Sequence, residues 1–468
     1  MALASLSGCA LSSGDRPTPK SLATLAADQS LAGAQGTFPD ATWWDRYQDP
    51  ALTALMAEAL AASPDMALAT ARIAAADALA TQAGGALWPA LGIEGSAGGA
   101  KQSYNMGIPA EFVPKGIVST GQIAGRMGFN LDIWGRNRAA LAAARGEAEA
   151  ARVDAAQARL LLTTSVASAW ADYAQVLRAR DIAAEAVRVR SQTESLTQAR
   201  LTAGIDGQSD LELAKSRAAA AQADLAAADE ALSLTRNRIA ALLGAGPDRG
   251  ATLPRPALTE QGVPPLPDRL AAELLGRRPD IVSAQLRVDA ARQRIKMAQR
   301  DFYPNINLTA LVGVQALGLA NLFDQGSSTA NFGPALSLPL FDGGRRLGQY
   351  RGATAGYAEA VARYDQILIT ALRETADAIA SRQAIETRRI HLRTASDAAQ
   401  QSAQLAQMRY RAGIGNMLQV NAAEDAALAA RRALSDTEAR AMLYDIALIR
   451  ALGGGFQAPN PQKDGNRP

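Results

Sequence analysis

Side chains that could carry out chemistry are scarce in this sequence. Among its 468 residues there is one cysteine, Cys9, and one histidine, His391. These two residues cannot form an internal disulfide, a usual zinc site or a catalytic triad. The sequence contains no GxxxxGK[ST] phosphate loop, and no pair of carboxylates stands apart from the other acidic residues. We therefore expect a protein that is not an enzyme and that holds no metal or dissociable cofactor.

The thiol of Cys9 is the one reactive group with a recognisable context. It follows Leu6, Ser7 and Gly8, and this pattern is typical of a lipobox, where the cysteine becomes the lipidated N-terminus. Eight residues precede it, fewer than the roughly 15–30 of a signal peptide, so we expect the printed start to be trimmed or misplaced. Ala10, in place of aspartate, favours delivery to the outer membrane. The alternative is an unpaired cysteine near a frayed end.

Charge and composition narrow the remaining classes of protein. The 48 basic and 45 acidic residues leave a net charge of +3, which is too small to favour nucleic acid as a partner. Hydrophobic residues make up 48% of the chain, but only 5% of residues are aromatic. This composition is typical of closely packed helices rather than of a thick globular core.

Most of the chain is one unit written twice. The segment that begins at Ser63 matches the segment that begins at Arg278 at an offset of 215, and from Gly135 to Gly244 the offset is 209. We interpret residues 43–245 and 269–452 as the two copies. The remaining segments are 1–9 (truncated signal and lipobox), 10–42 (tether), 246–268 (proline-rich linker) and 453–468 (disordered tail).

Each copy contains two segments of alternating hydrophobicity, which predicts strands. They lie at about 89–100, 121–134, 304–315 and 330–341. In the second segment Ile123 and Met127 alternate with Gln122 and Arg126, so one face is apolar and the other is polar.

A wall of an outer-membrane barrel accounts for this alternation, because one face would contact lipid and the other a polar lumen. Four strands are fewer than the roughly eight of the smallest such barrels, so identical chains would have to pool their strands. The alternatives are a half-buried sheet in a soluble protein and, for the uncharged residues 302–323, a membrane helix. The apolar positions that we expect to face lipid are Ile123, Met127, Phe129, Leu131, Ile306, Leu308, Val312, Leu336 and Leu338.

Each copy also contains a long run without proline, which predicts a helical hairpin. The expected helices are 136–203, 209–244, 344–412 and 417–452. Apolar and small residues recur every three or four positions, the spacing of a coiled-coil seam, and the first helix would be roughly 100 Å long. An arginine recurs every seven residues along that helix, at Arg138, Arg145, Arg152 and Arg159. A solvated stripe and a channel-facing or inter-subunit row both remain open for these arginines.

The two hairpins turn at related motifs, RLTAGID and RYRAGIG. Gly204 and Gly413 suit the left-handed conformation that ends a helix without steric strain. We therefore expect the turns at 204–208 and 413–416, at the end of the helices that is far from the strands.

The chain resembles the TolC/OprM outer-membrane efflux family, and within it the NodT-like lipoprotein branch. The resemblance covers about residues 38–452. It rests on WWDRYQDPALTALMAEAL, FNLDIWGRNRAALAAARGEAEAA, GRRPDIVSAQLRVDAARQRIKMAQRDFYPNI, SLPLFDGGRR and the paired RLTAGI and RYRAGI corners. Each motif is weak alone, and their combination in this order is specific.

The resemblance implies a mainly α fold with β-strands, assembled as a homotrimer. Twelve pooled strands would form an outer-membrane β-barrel, and twelve helices would continue it as a periplasmic coiled-coil barrel. A mixed α/β equatorial belt would combine the N-terminal segment, the 246–268 linker and the C-terminal end. The implied function is a passive export duct that is lipid-anchored in the outer membrane of a double-membrane bacterium.

The implied partners are a periplasmic membrane-fusion adaptor and an inner-membrane pump, most often of the RND class. The adaptor would contact the tip turns at Gly204, Ile205, Gly413 and Ile414. Two other functions remain open, namely a lipid-anchored coiled-coil scaffold of the cell envelope and the outer-membrane duct of a type I protein secretion system. The sequence does not identify the cargo.

The resemblance also implies a gate at the helical tip. Asp210 and Tyr410 match positions that hold the closed state together, and we expect Asn416 and Gln419 to lie nearby. Carboxylates that often ring the constriction fall here on Gln419 and Ala422, so a carboxylate ring is not expected. The alternative is that these tip residues only cap helices.

Overall fold

The computed structural model describes residues 16–21, 24–25, 37–105, 107–258 and 270–458. Cys9 and the expected lipobox lie outside the described residues. The contacts divide the chain into two compact units. The first unit comprises residues 72–151 and 284–364 with the described residues before 20, and the second comprises the other described residues.

Helices make up most of the described chain. The α-helices are α1 (Pro50–Ala62), α2 (Pro64–Gly85), α3 (Arg136–Thr202), α4 (Gln208–Leu242), α5 (Pro247–Ala251), α6 (Leu270–Arg277), α7 (Pro279–Arg300), α8 (Arg345–Arg411) and α9 (Met417–Ala451). The strands are β1 (Ala90–Ala100), β2 (Val118–Asn130), β3 (Asn305–Leu317) and β4 (Ser328–Ser337). Short 3₁₀ helices lie at Trp43–Tyr47, Ala110–Phe112 and Leu319–Asn321.

The strands of the first unit form one antiparallel sheet in the order β1-β2-β3-β4. Ile123 lies opposite Val314, so apolar side chains of neighbouring strands share one face. On the other face Arg126 forms an ion pair with Glu94 at 2.7 Å. Within the described chain β1 and β4 each have a neighbour on one side only. The two edges of the sheet are therefore open.

The segment 302–323 is not a membrane helix, because Asn305–Leu317 is the third strand of this sheet. Among the described residues, none of the helices combines the length and the apolar character needed to cross a membrane.

Two of the positions that we expected to face lipid lie beyond the strands. β2 ends at Asn130, and Leu131 follows it. The cause is Asp132, whose φ of 44° turns the chain and whose carboxylate accepts the N–H groups of Asn137 at 2.8 Å and Arg138 at 2.9 Å. This carboxylate caps the start of α3 and so ends the strand.

Leu338 is the second of these residues, since β4 ends at Ser337. A proline follows at position 339, and it has no N–H group to continue the ladder. Leu338 is nevertheless 46% exposed, and Leu131 is 38% exposed.

The equivalent helices α2 and α7 differ in burial. α7 packs on α3, where an added Cβ on Gly146 would lie 3.1 Å from the Cβ of Ala290, and Arg294 bonds Glu147 at 2.8 Å. α2 has only Ala69 buried among its described residues. The small side chains of the first pair let the helix backbones approach closely, and α2 has no such cover within one chain.

The core of the second unit forms around the N-terminal WWDRY segment. Trp43, Trp44 and Tyr47 are buried against Trp170 and Tyr173 of α3. Leucine, isoleucine and other aliphatic side chains from α1, α3, α4 and α9 complete this core. Burial of the aromatic residues attaches the segment before α1 to the long helix α3.

Asp49 holds three parts of this core together. One carboxylate oxygen caps α1 by accepting the N–H of Ala51 at 2.9 Å. The other oxygen accepts the indole N–H of Trp170 at 2.8 Å and the backbone N–H of Ala257 at 3.0 Å. Asp49 is 4% exposed, so these buried N–H donors depend on its carboxylate rather than on water as their acceptor.

Arg278 has a comparable role at the start of α7. It is 6% exposed and bonds Asp280 at 2.6 Å, Glu374 at 3.0 Å and the carbonyl oxygen of Ala451 at 3.3 Å. Burial acts to lower the pKa of this guanidinium, and the two carboxylates outweigh it and raise the pKa. The RRPD motif therefore joins α7, α8 and α9 through one buried ionic group.

The prediction that the tail is disordered from residue 453 onward is wrong for its first residues, 453–458. Gly453, Gly454 and Gly455 have φ values of 87°, 53° and 85°, a left-handed run that favours glycine. A Cβ on Gly455 would lie 2.1 Å from the carbonyl oxygen of Asp40, so the backbone packs where a side chain could not fit. The N–H of Ala458 then bonds the carbonyl oxygen of Gly276 at 3.1 Å.

Replacement of Asp49 by alanine is expected to destabilise the second unit by about 3–5 kcal/mol, because it removes a helix cap and leaves buried donors unpaired. The midpoint of thermal loss of helical circular dichroism measures the effect. Asp45→Ala is the matched control, since Asp45 is exposed and, among the residues that the structure describes, its side chain bonds only the hydroxyl of Thr53, at 3.0 Å. Equal midpoints for the two variants would contradict the role of Asp49.

Candidate gate at the helical tip

Each helical hairpin of the second unit reverses at a glycine. Gly204 and Gly413 have φ values of 69° and 76°. After each glycine an isoleucine N–H reaches back to the helix, from Ile205 to the carbonyl oxygen of Arg200 at 2.9 Å and from Ile414 to that of Arg409 at 3.0 Å. This six-to-one bond is the Schellman helix ending. It leaves Ile205 62% exposed and Ile414 78% exposed at the tip.

An ionic group joins the two hairpins beside these turns. The Arg200 guanidinium donates to both carboxylate oxygens of Asp206, at 2.8 Å and 3.1 Å. It also donates to the backbone carbonyl of Tyr410 at 3.3 Å and lies 4.4 Å from the centre of the Tyr410 ring. The Tyr410 hydroxyl donates to Asp206 at 2.5 Å. These three residues, here called the tip clasp, connect the end of α3 to the end of α8.

Burial strengthens the tip clasp. Tyr410 is 2% exposed and packs on Ala214, Met417 and Val420. The bond from Arg200, with a further bond from Tyr410, lowers the pKa of Asp206 below its ordinary 3.8. Burial, together with the neighbouring Asp206, raises the pKa of Tyr410 above 10. The charged pair and the donating hydroxyl are therefore both present over the whole physiological pH range.

The expected contact between Asp210 and Tyr410 is not what the structure contains. Tyr410 bonds Asp206, and Asp210 bonds the N–H of Gly207 at 3.1 Å. Asp210 is the third residue of α4, where a carboxylate turns back to cap its own helix. The alternative of a capping role therefore describes Asp210 correctly.

Asn416 also caps a helix, since its side-chain oxygen accepts the N–H of Gln419 at 2.9 Å at the start of α9. Both side chains are exposed at the tip. Sequence reasoning missed Arg200 and Asp206. A difference between the two copies could have indicated them. At the offset of 209, Asp206 of the first turn corresponds to Gly415 of the second, so only the first turn carries a carboxylate at this position.

A second ionic group lies deeper in the same hairpins. Asp425 of α9 bonds Arg190 of α3 at 3.1 Å and Arg217 of α4 at 2.9 Å. The neighbouring Glu424 accepts from Gln407 of α8 at 2.7 Å and from Thr193 of α3 at 3.3 Å. Adjacent residues of α9 thus contact the other three long helices. Neither group holds a reactive centre, and each acts to fix helix positions.

Comparison with known proteins identifies the class to which this architecture belongs. A family model described as outer membrane efflux protein matches residues 55–245 and 270–454, which is most of the chain. The chain belongs to the outer membrane efflux protein family. It is therefore a channel protein of the outer membrane and not an enzyme.

Individual members of the family resemble nearly the whole chain. The multidrug resistance outer membrane protein MdtP of Shigella flexneri is 31% identical, covering 97% of this chain and 94% of the relative. The fusaric acid resistance protein FusA of Burkholderia cepacia is 33% identical over 75% of this chain and 67% of its own. The crystal structure of VceC from Vibrio cholerae has a TM-score of 0.84 and 39% identity, covering 90% of this chain and all of VceC.

Replacement of Asp206 by asparagine is expected to weaken the tip clasp, because a neutral amide cannot form the ion pair with Arg200. A charge-assisted pair is worth about 1.5–3 kcal/mol, so amide hydrogen-exchange protection around 200–206 and 409–414 is expected to fall roughly 10- to 100-fold. Asp210→Asn is the matched control, and its effect is expected to stay at the start of α4.

The pH dependence has a definite sign. Because the pKa of Asp206 is depressed, the stabilisation is complete above pH 3.8 and is lost as the pH falls through the depressed value. Protection factors at the tip are therefore expected to be constant from about pH 5 to 8 and to fall only in stronger acid. A loss centred near neutral pH would contradict the assignment.

Proposed function

We propose that this chain is the exit duct of a tripartite efflux system. Cargo would pass through the duct passively, and the partner proteins would supply the driving force for export. Three copies would form one barrel in the outer membrane and one helical tunnel in the periplasm. A periplasmic adaptor and an inner-membrane pump, of the RND class, would load it. The observation that carries this proposal is a two-faced, open-edged sheet whose strands lead directly into two long helical hairpins.

The open edges support a shared barrel. The sheet has an apolar face suited to lipid, yet β1 and β4 leave backbone N–H and C=O groups unpaired along their outer sides. Each unpaired group in hydrocarbon costs several kcal/mol, so a barrel in lipid must close. Four strands are too few to close alone, and three copies supply twelve.

The internal repeat specifies how β4 of one copy would meet β1 of the next. β4 corresponds to β2, and β1 corresponds to β3, so the inter-chain pair should copy the β2–β3 pair. Met127 lies opposite Ala310 within the chain. Position 127 plus the offset of 209 gives Leu336 of β4, and position 310 minus the offset of 215 gives Gly95 of β1. Leu336 would therefore lie opposite Gly95 of the neighbour. Both belong to the apolar face, so the register keeps the two faces distinct.

The same reasoning places α2 against α8 of the neighbour. The close contact of Gly146 with Ala290 within one chain corresponds to Ala355 and Ala75 at the interface between chains. Ala75 and Ala355 are both exposed in one chain, and small residues permit a close helix crossing. The exposed face of α2 is thereby covered by a second copy.

A lipid on Cys9 is compatible with the position of the N-terminal segment. Arg16 donates to the hydroxyl of Tyr350 at 3.1 Å. Seven residue steps separate Cys9 from Arg16 and can span about 25 Å. Tyr350 lies five residues into α8, about 8 Å from the end that leads to the sheet. The proposed lipid could therefore insert beside the barrel.

The tip is the proposed point of regulation and docking. The tip clasp joins both hairpins of one chain, so the pore can open at the tip only when α3 and α8 separate there. Ile205 and Ile414 are exposed apolar side chains beside the turns and form the proposed contact for the adaptor. Relatives named for resistance to multiple drugs or to fusaric acid support small toxic molecules as cargo.

Disulfide crosslinking is expected to produce covalent trimers with two cysteine pairs, Leu336→Cys with Gly95→Cys and Ala75→Cys with Ala355→Cys. In both pairs the two positions are predicted to be neighbours across the interface, within reach of a disulfide. Ala330→Cys with Gly95→Cys is the control, since its positions are six residues out of register. Mass spectrometry of the same samples checks for the lipid on Cys9.

Crosslinking of the control but not of the proposed pairs would refute the register. A purified chain that stays monomeric and leaves planar bilayers insulating would instead favour the scaffold and reject the duct.

Asp206→Asn and Tyr410→Phe are each expected to raise the mean single-channel conductance in planar bilayers, because each removes one bond of the clasp that holds the tip closed. The phenylalanine variant keeps the buried ring and loses the hydroxyl, with its bond to Asp206. Asp210→Asn is the matched control and should behave as the unmodified channel. Unchanged conductance in both clasp variants would leave the clasp a structural feature without a gating role.

A further inference from the structure

A cleft of about 310 Å³ lies where the strands meet the first turns of α3 and α8. Three of its strand residues are Asn130, Asn305 and Ser337. Asn305 lies opposite Ser337 in the sheet, and the amide of Asn130 donates to the side-chain oxygen of Asn305 at 2.8 Å. Side chains alternate along a strand, so Asn130 shares a face with Gln122 and Arg126. The cleft therefore lies on the polar side of the sheet.

One wall of the cleft is aromatic. The rings of Trp134 and Tyr303 stack with centres 5.0 Å apart, and the indole N–H of Trp134 donates to the carbonyl oxygen of Pro304 at 2.7 Å. These contacts fix the pair in place. Trp134 is nevertheless 44% exposed and Tyr303 is 51% exposed. The stacked rings thus keep a large accessible area on which a further planar ring can pack.

Four arginines also line the cleft, and two of them are neutralised by neighbouring carboxylates. Arg136 forms an ion pair with Asp301, and Arg346 bonds Asp342 at 3.3 Å. The other carboxylate in the lining, that of Asp132, accepts the N–H groups at the start of α3. These carboxylates are therefore already engaged.

Arg300 and Arg345 have no carboxylate partner among the residues that the structure describes. Arg300 donates to the carbonyl oxygen of Gly135 at 2.6 Å, which satisfies one N–H and neutralises no charge. The exposed guanidinium of Arg345 makes no hydrogen bond or ion pair within the described chain. The cleft therefore presents two uncompensated cations beside a flat aromatic wall.

We propose that this cleft binds small planar aromatic anions, such as aromatic carboxylates, on their way through the duct. The inference rests on the proposed function, in which the polar face of the sheet lines the lumen and the cleft lies between the barrel and the tunnel. A guanidinium suits a carboxylate because its fork of donors matches the two oxygens. The aromatic wall suits the ring, which packs on it in an offset stack.

The same features disfavour other classes of cargo. Two uncompensated cations repel an organic ammonium ion, and a neutral molecule forms only weaker bonds with them. An anion without a planar ring pairs with the arginines but gains less from the aromatic wall. The volume of the cleft is at the small end of the range for ligand sites, which suits molecules of one or two rings.

The test measures binding of naphthoate to the purified channel in phosphatidylcholine nanodiscs by equilibrium dialysis, with empty nanodiscs as the background. Naphthylmethanol is the neutral analogue, and cyclohexanecarboxylate is the anion without an aromatic ring. The unmodified channel is expected to bind naphthoate at least about tenfold more tightly than naphthylmethanol, the scale of a charge-assisted bond. It is expected to prefer naphthoate to cyclohexanecarboxylate about threefold or more, the scale of an aromatic pair. Added salt should weaken binding of naphthoate but not of naphthylmethanol.

Arg300→Gln with Arg345→Gln is expected to lower the affinity for naphthoate at least about tenfold and to leave that for naphthylmethanol unchanged. Lys296→Gln with Arg351→Gln is the matched control. It removes the same charge from α7 and α8 at exposed positions outside the cleft and should bind naphthoate as the unmodified channel does. Arg345→Gln alone is a second variant if the double variant folds poorly, and it is expected to lower the affinity about threefold, the scale of an exposed ion pair.

The outcomes separate the possible failures. A conducting trimer that binds naphthoate no better than naphthylmethanol, or an equal loss in the control variant, overturns the proposal. Equal affinity for cyclohexanecarboxylate identifies a general anion site and also overturns it. Conductance and trimer mass are measured first without any ligand. Their absence would reject the duct, and with it the role of the cleft in the lumen, whatever the binding result.

Discussion

A sheet in hydrocarbon cannot leave backbone N–H and C=O groups unpaired, and this constraint shapes the whole protein. The described part of the chain has four strands and two open edges, so the proposed barrel would need other copies to close. Each pair of strands leads into one helical hairpin, and the number of helices in the proposed tunnel follows from the number of strands in the barrel. In the proposed barrel the sheet alone would cross the membrane, so the length and hydropathy of the helices would not have to match the bilayer. The helices could then be alanine-rich, long and closely packed.

The two copies within the chain have the same order of helices and strands but differ in the side chains at their helix–helix contacts. Within one chain α3 and α7 join through Gly146 and Ala290 and through the ion pair of Glu147 with Arg294. The equivalent positions at the proposed interface between chains keep the small residues and replace the ion pair by Gly356 and Leu79. At these positions the contacts within the chain are partly ionic, whereas the proposed contacts between chains are apolar and small. Such an interface would stabilise assembly without leaving charges unpaired in the separate chain.

Buried charged groups determine which segments stay together in the second unit. Asp49 joins α1, α3 and the segment after α5, and Arg278 joins α7, α8 and α9. Each directly precedes a proline that begins a helix. Asp49 accepts free N–H groups of the first turn of α1, whereas Arg278 donates to two carboxylates and a carbonyl oxygen. The tip clasp is of the same kind but is built on a turn, at the end of the hairpins. Asp49 and Arg278 therefore join several elements in the core of the second unit, whereas three side chains hold the tip.

The sequence by itself determined the elements of this protein. Alternation predicted strands, the spacing of small and apolar residues predicted the long helices, and the repeat together with Gly204 and Gly413 located the hairpins, because these patterns reflect the local backbone conformation of a few neighbouring residues. Only the tertiary structure decided that Tyr410 pairs with Asp206 rather than Asp210, that Asp132 ends β2, and that Gly455 packs against Asp40. Each of these depends on where side chains and backbone groups meet in space, and spacing along a single chain does not encode that geometry.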